Sequence, residues 1–173
     1  RVFDFYVWFP VMLLASIFNS GLSLSQIKIL LPTLFVVNVI IPVSYFFMDL
    51  AGRGISDIDV TKRQQRYHLF GRFAVISAIS VVISYSLGNQ TFFVLQLTAL
   101  VLAITIFVIT FFYKISGHMI LNVSSVFILN FLFDWKLMWL FLIIPIVAFA
   151  RFYLKKHTVV EILTGAAVGL IEP

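Results

Sequence analysis

The chain has 173 residues, of which 62% are hydrophobic and 11% charged, with a formal net charge of +5 and no cysteine. A water-soluble domain of this length needs far more polar surface, and without cysteine there is neither a disulfide framework nor a thiolate metal site. The positive charge suits anionic lipid headgroups, whereas nucleic acid is excluded as a partner because no soluble basic face exists to receive it.

The apolar residues fall into runs of roughly 15–22 separated by short polar stretches, the pattern of membrane-spanning helices. Val2 to Phe18 is the first run, with Trp8 and Pro10 early in it and a polar exit at Asn19-Ser20-Gly21. It lacks a typical cleavage signature and is read as a helix, not a signal peptide. Gln26 to Phe47 is the second, with bends expected at Pro32 and Pro42, which a membrane helix tolerates when neighbours satisfy the freed carbonyls. Asp49 to Arg72 is the only long polar segment and holds Arg53, Lys62, Arg63, Arg66, Arg72 and His68 beside three aspartates. Gly52 and Gly54 mark a turn there, and Asp57 or Asp59 is expected to cap a short helix containing Thr61 to Arg66.

Phe73 to Leu87 and Thr91 to Tyr113 are joined by Gly88-Asn89-Gln90, a link short enough to demand a hairpin. Met119 to Phe133 and Leu137 to Ala150 follow, turned by Asp134-Trp135-Lys136, and Thr158 to Ile171 is the last run. The fold expected is all-α: a polytopic transmembrane bundle of six or seven helices in one domain, residues 1–173. Gly165 and Gly169 form a small-xxx-small pair that lets another helix pack close. Trp8, Trp135 and Trp139, near span ends, are read as interfacial anchors.

Counting crossings brings three polar clusters to one membrane face: Asp49–Arg72, Lys114–His118 and Arg151–His157. His157 and Glu161 are four apart, so on one helix they share a face. A carboxylate there holds one imidazole nitrogen, fixes the tautomer and makes the other nitrogen basic and aimed. Arg151 is placed to hold an oxyanion through paired hydrogen bonds. Ser116-Gly117-His118 reads as a helix start, with Ser116 at the N-cap; the hydroxyl and first-turn amides suit phosphate oxygens, and His118 can protonate a leaving oxygen. Lys62 and Arg66, four apart, read equally as a solvated helical face or headgroup anchor and as part of the phosphate-binding cluster.

With these clusters in view, the chain resembles the type 2 phosphatidic acid phosphatase superfamily, membrane lipid phosphatases sharing a helical core with vanadium haloperoxidases. Its third motif, serine-arginine, five residues, histidine, three residues, aspartate, is similar to Ala150-Arg151 through His157 to Glu161, with alanine for serine and glutamate for aspartate. Its second, proline-serine-glycine-histidine, is similar to Ile115-Ser116-Gly117-His118. The first, lysine, six residues, arginine-proline, matches only at Arg66: Asp59 stands at the lysine position and Tyr67 at the proline, while Lys62 lies nearer.

The resemblance implies a metal-independent, cofactor-free hydrolase of a lipid phosphate or diphosphate. In it His157 is the nucleophile, Glu161 orients it, and His118 is the acid and then the base. Arg151, Ser116, Gly117, Arg66 and Lys62 bind phosphate. Phosphatidic acid, phosphatidylglycerol phosphate and polyprenyl (di)phosphates all fit. A headgroup phosphotransferase of the same superfamily and a non-catalytic lipid-binding or transport protein are the alternatives. An aspartate-rich polyprenyl transferase is disfavoured, because it needs a second acidic cluster and only Asp134, Glu161 and Glu172 lie beyond residue 60. Orientation divides the signals. The resemblance places the site on the extracytoplasmic face, whereas the lysine and arginine surplus on the site side points to the cytoplasm.

Overall fold

The computed structural model describes residues 5–52, 54–56, 60 and 62–170. Among them the chain is predominantly helical, without a strand, in seven helices. These are α1 (Phe5–Asn19), α2 (Leu24–Ala51), α3 (Arg63–Ser86), α4 (Gln90–Phe112), α5 (Gly117–Leu132), α6 (Ile143–Tyr153, entered through a 3-10 turn, Met138–Leu142) and α7 (Val159–Leu170). Three stretches are long and apolar enough to cross a membrane: Leu24–Ala51, Gln64–Ser86 and Gln90–Phe112. Isoleucine and valine side chains such as Ile79, Val82, Val101 and Val108 stand exposed along them, as contact with lipid requires. The remaining helices are apolar but shorter.

The helices gather into two compact units, residues 1–15 with 114–173 and residues 16–113. In the second unit, α2 runs unbroken past both prolines where bends are expected. Pro42 has no N–H to give the carbonyl four residues back, and a π-turn at Val36–Ile40 absorbs the mismatch, with the Ile41 N–H bonded to the Val36 carbonyl. That turn buries Asn38, whose Oδ1 accepts a hydrogen bond from Ser80 Oγ of α3 at 2.8 Å. The hairpin of α3 and α4 forms where the short link demands it. Asn89 caps α4 by accepting the Phe92 N–H at 2.9 Å, and its amide reaches the Ser20 carbonyl at 2.6 Å.

The polar Asp49–Arg72 segment departs from expectation. In place of a short helix separate from the Phe73–Leu87 run, α3 begins at Arg63 and continues without a break into that apolar run. No proline interrupts it, and Gly71 is an asset here: a Cβ at that position would lie 3.0 Å from Cε2 of Phe107 on α4. Lys62 occupies the N-cap of α3 with no side-chain capping bond, while the expected capping by Asp57 or Asp59 lies outside the described residues.

In the first unit, α5 is the central element. Met119, Val123, Val126 and Leu129 on α5 pack with Leu140, Ile143 and Val147 of the α6 region and Ile162 of α7. Trp8 joins this core, so it is no interfacial anchor: it is buried, and its Nε1–H donates to Asn122 Oδ1 at 2.9 Å. Trp135 and Trp139 are exposed. The Gly165–Gly169 pair brings α7 against α5. A Cβ on Gly165 would come within 2.8 Å of the Ser116 carbonyl, and one on Gly169 within 2.8 Å of the Ile120 carbonyl.

Candidate functional site

The link from α6 to α7 is built from two helix-end motifs, back to back. Helix α6 closes with the Lys156 N–H bonded to the Arg151 carbonyl at 3.2 Å and the Lys155 N–H to the Phe152 carbonyl at 2.9 Å. Lys155 takes a left-handed conformation, φ 52°, as this Schellman ending requires. Helix α7 opens with a capping box: Thr158 Oγ1 accepts the Glu161 N–H at 3.3 Å, and Glu161 Oε2 accepts the Thr158 N–H at 3.1 Å. His157 is the residue between the two motifs.

Its ring is therefore not on a helix. The shared face expected from the four-residue spacing is replaced by a loop residue meeting a first-turn carboxylate. The contact itself is present, with His157 Nδ1 2.9 Å from Glu161 Oε2 and the His157 side chain 1% exposed. When Nδ1 donates to the carboxylate, the neutral ring has its lone pair on Nε2. Glu161 thus serves the helix end and the histidine with the same oxygen.

The segment ahead of α5 closes on this loop. The Ser116 N–H donates to the Glu161 carbonyl at 3.2 Å, and the Ser116 carbonyl in turn accepts the Met119 and Ile120 N–H groups that start α5. Ser116 occupies the N-cap, as its type suggests, without a side-chain capping bond. Its side chain is 0% exposed, and Oγ has no hydrogen-bond partner among the described residues. Gly117 and His118 form the first turn of α5, both half-buried, and the His118 carbonyl accepts from Asn122 Nδ2 at 2.7 Å. Arg151 is in the last turn of α6, where a cation complements the helix dipole, and is 7% exposed.

Two participants lie outside the site residues expected from the sequence. Lys114 Nζ donates to the Lys156 carbonyl at 3.1 Å and stands 3.8 Å from Glu161 Oε2. Thr158 supplies the cap. Its signature, Thr158-Val159-Val160-Glu161, is visible in the sequence as a threonine three residues ahead of a glutamate; Lys114 opens the polar Lys114–His118 cluster, but no motif gives it a role.

The first polar cluster belongs to the second unit. Arg66 is 6% exposed there, and its Nε–H donates to the Val60 carbonyl at 2.6 Å, pinning the backbone ahead of α3 where Val60 has φ 46°. Lys62 is exposed. Arg72 pairs with Asp49 and lies over the Tyr45 ring, tying α3 to α2. Among the described residues, no three His, Asp or Glu side chains gather as a metal-binding group. A scan against protein-family models and searches of curated proteins and of solved structures return no match.

Proposed function

We propose that the chain is a membrane-embedded phosphatase that hydrolyses a lipid phosphate or diphosphate through a phosphohistidine. The observation that supports it most is a buried histidine held at Nδ1 by a glutamate, on the loop that follows a helix whose last turn holds a buried arginine. An ionisable group withdrawn from water in an apolar chain is costly, and its default reading is functional.

In this reading His157 Nε2 attacks phosphorus, the bond to the leaving oxygen breaks, and His118 gives that oxygen its proton. His118 then takes a proton from water, whose oxygen attacks the phosphohistidine, releasing inorganic phosphate and restoring His157. Arg151, the Ser116 hydroxyl and the Gly117 amide face the charge on the non-bridging oxygens, a fixed electrostatic cradle of the kind phosphoryl transfer needs. The reading rests on the first unit alone; Arg66 and Lys62 belong to the second. Phosphatidic acid, phosphatidylglycerol phosphate and polyprenyl diphosphates share the phosphate ester or anhydride that this chemistry attacks.

The test is phosphate release by the purified full chain in detergent, against a panel of these lipids with EDTA present. Release that persists in EDTA and disappears in His157→Ala is expected. Activity lost to EDTA and restored by magnesium would overturn the cradle chemistry, and no release from any lipid would overturn the phosphatase. Topologically, the same reading takes the shorter apolar helices as further crossings, six or seven in all, with the site on the extracytoplasmic face. A cysteine at Gln90, the first residue of α4 beside the α3–α4 turn, should then resist an impermeant maleimide in intact cells; labelling there would place the site inside.

A further inference from the structure

We propose that Lys114 is a positioning residue for the His157–Glu161 pair, holding both its ends through one ammonium group. The proposal rests on the phosphatase reading only for its kinetic consequence. Its structural content is independent of that reading.

Lys114 is the first residue after Tyr113 at the C-cap of α4, on an extended stretch leading to α5. The carbonyl its Nζ reaches at 3.1 Å belongs to Lys156, and that carbonyl is part of the peptide plane that enters His157. The carboxylate oxygen 3.8 Å away is the one bonded to His157 Nδ1. One cation thus touches the backbone that carries the imidazole and the acid that orients it. Glu161 Oε2 then takes two hydrogen bonds, from His157 Nδ1 at 2.9 Å and from the Thr158 N–H at 3.1 Å, and an ion pair with the Lys114 ammonium at 3.8 Å. The first two come from residues within four positions of Glu161 and move with α7. Lys114 alone of the three is remote in sequence, so among the groups at this oxygen it alone ties the carboxylate to the α5 side.

An ordinary exposed ion pair contributes little, and the Lys114 side chain is 36% exposed. What distinguishes it is the second contact. A carboxylate rotamer held only by a floppy lysine gains little order, but a lysine anchored on a carbonyl presents its charge at a fixed point. The backbone bond between the Ser116 N–H and the Glu161 carbonyl completes a clamp between the two segments, with the lysine at its outer edge.

The experiment uses the full chain in detergent micelles with isotope-labelled histidine. The sequence has three histidines, His68, His118 and His157, and His157→Asn identifies the His157 resonances by their loss. Above the usual histidine titration range, the Nδ1-protonated tautomer of His157 should dominate in the wild type. Lys114→Met keeps the aliphatic stem and removes the charge. It should lower the ratio of Nδ1 to Nε2 tautomer at His157 about 3-fold or more, and reduce kcat for lipid phosphate about 10- to 100-fold with KM within about 3-fold. Lys114→Arg should recover most of both. Lys114→Gln, which keeps a donor for the Lys156 carbonyl, serves if the methionine variant fails to fold. An unchanged His157 tautomer ratio in a folded Lys114→Met or Lys114→Gln protein overturns the proposal, whatever the activity. A shifted ratio in a chain that releases no phosphate supports the positioning role and rejects the phosphatase.

Discussion

Replacing Gly165 with alanine tests how tightly the site depends on the approach of α7 to α5. The added Cβ would lie 2.8 Å from the Ser116 carbonyl oxygen and 3.1 Å from Met119 Cβ, where ordinary contact begins at 3.4 Å. Relief requires the helices to part by roughly 0.5 Å, and overpacking of that kind costs about 1–3 kcal/mol. The Ser116 N–H to Glu161 carbonyl bond is already long at 3.2 Å, so the same displacement breaks it. Its loss removes roughly another 1 kcal/mol. We therefore expect Gly165→Ala to lose about 2–4 kcal/mol of stability, and the folded fraction to lose about 10- to 100-fold in turnover, because Ser116 moves relative to His157. Gly169→Ala is the control. Its Cβ would meet the Ile120 carbonyl at 2.8 Å and Val123 Cβ at 2.9 Å, so its packing cost is similar, but it lies a turn further from the site. Its turnover per folded molecule should stay within about 3-fold of wild type. Tryptophan fluorescence during denaturation in detergent gives the stabilities, and phosphate release per folded molecule gives the turnover. Equal turnover losses in the two variants would show that the close approach serves packing alone, and a Gly165→Ala protein as stable and active as wild type would refute the geometry.

Three further outcomes are expected. His157→Ala should lose activity by several orders of magnitude, and Glu161→Gln should lose less, since an amide oxygen still accepts from Nδ1 and from the Thr158 N–H; near-wild-type phosphate release by His157→Ala would reject the assignment of the nucleophile. In the helix ends, Thr158→Ala should cost about 1 kcal/mol through the lost cap, while Lys155→Gly should gain about 0.5–1 kcal/mol by relieving the left-handed conformation, both read from equilibrium unfolding in detergent. Finally, Arg66→Ala should destabilise by about 1.5–3 kcal/mol because a buried carbonyl loses a charged donor, whereas Lys62→Ala, at an exposed position, should change stability by less than about 0.5 kcal/mol; equal effects would contradict the burial of Arg66.

Much of the fold is legible in particular residues. The α3–α4 hairpin follows from a three-residue link and an asparagine suited to capping. The contact of α7 with α5 follows from glycines four apart. Ser116 lies at a helix start because serine disfavours the interior and a glycine follows it. What the sequence hides is of two kinds. Some partners are far apart in the chain, as Trp8 and Asn122 are, or Lys114 and Lys156; no local pattern encodes such pairs. Elsewhere one local rule overrides another. The polar composition of Asp49–Arg72 suggests a loop with a short helix, yet nothing between Arg63 and Ser86 stops a helix once begun, so helix propagation wins over polarity.

The histidine–glutamate spacing is the instructive case, because the expected contact forms by a different route. Residues four apart on a helix meet as neighbours on one face, and that expectation would put His157 inside α7. In the structure Thr158 intervenes as the cap, and helix geometry starts only at Val159. The contact survives because a capping box folds the glutamate side chain back toward the residues ahead of the helix, so its carboxylate reaches both the Thr158 N–H and the ring just before it. This also gives a physical reason for glutamate at position 161. The third helical residue must span a full turn backwards to reach the cap N–H, which the longer side chain does readily. The upstream spacing has a parallel cause. A Schellman ending bonds the Lys156 N–H to the Arg151 carbonyl five residues earlier, so the next residue, His157, emerges at a fixed offset from the arginine. The arginine-to-histidine and histidine-to-glutamate intervals are thus those of two backbone motifs joined at one residue. Inserting or deleting a residue in either interval would dismantle a helix end as well as the site, so the structure constrains these spacings whether or not chemistry acts on them.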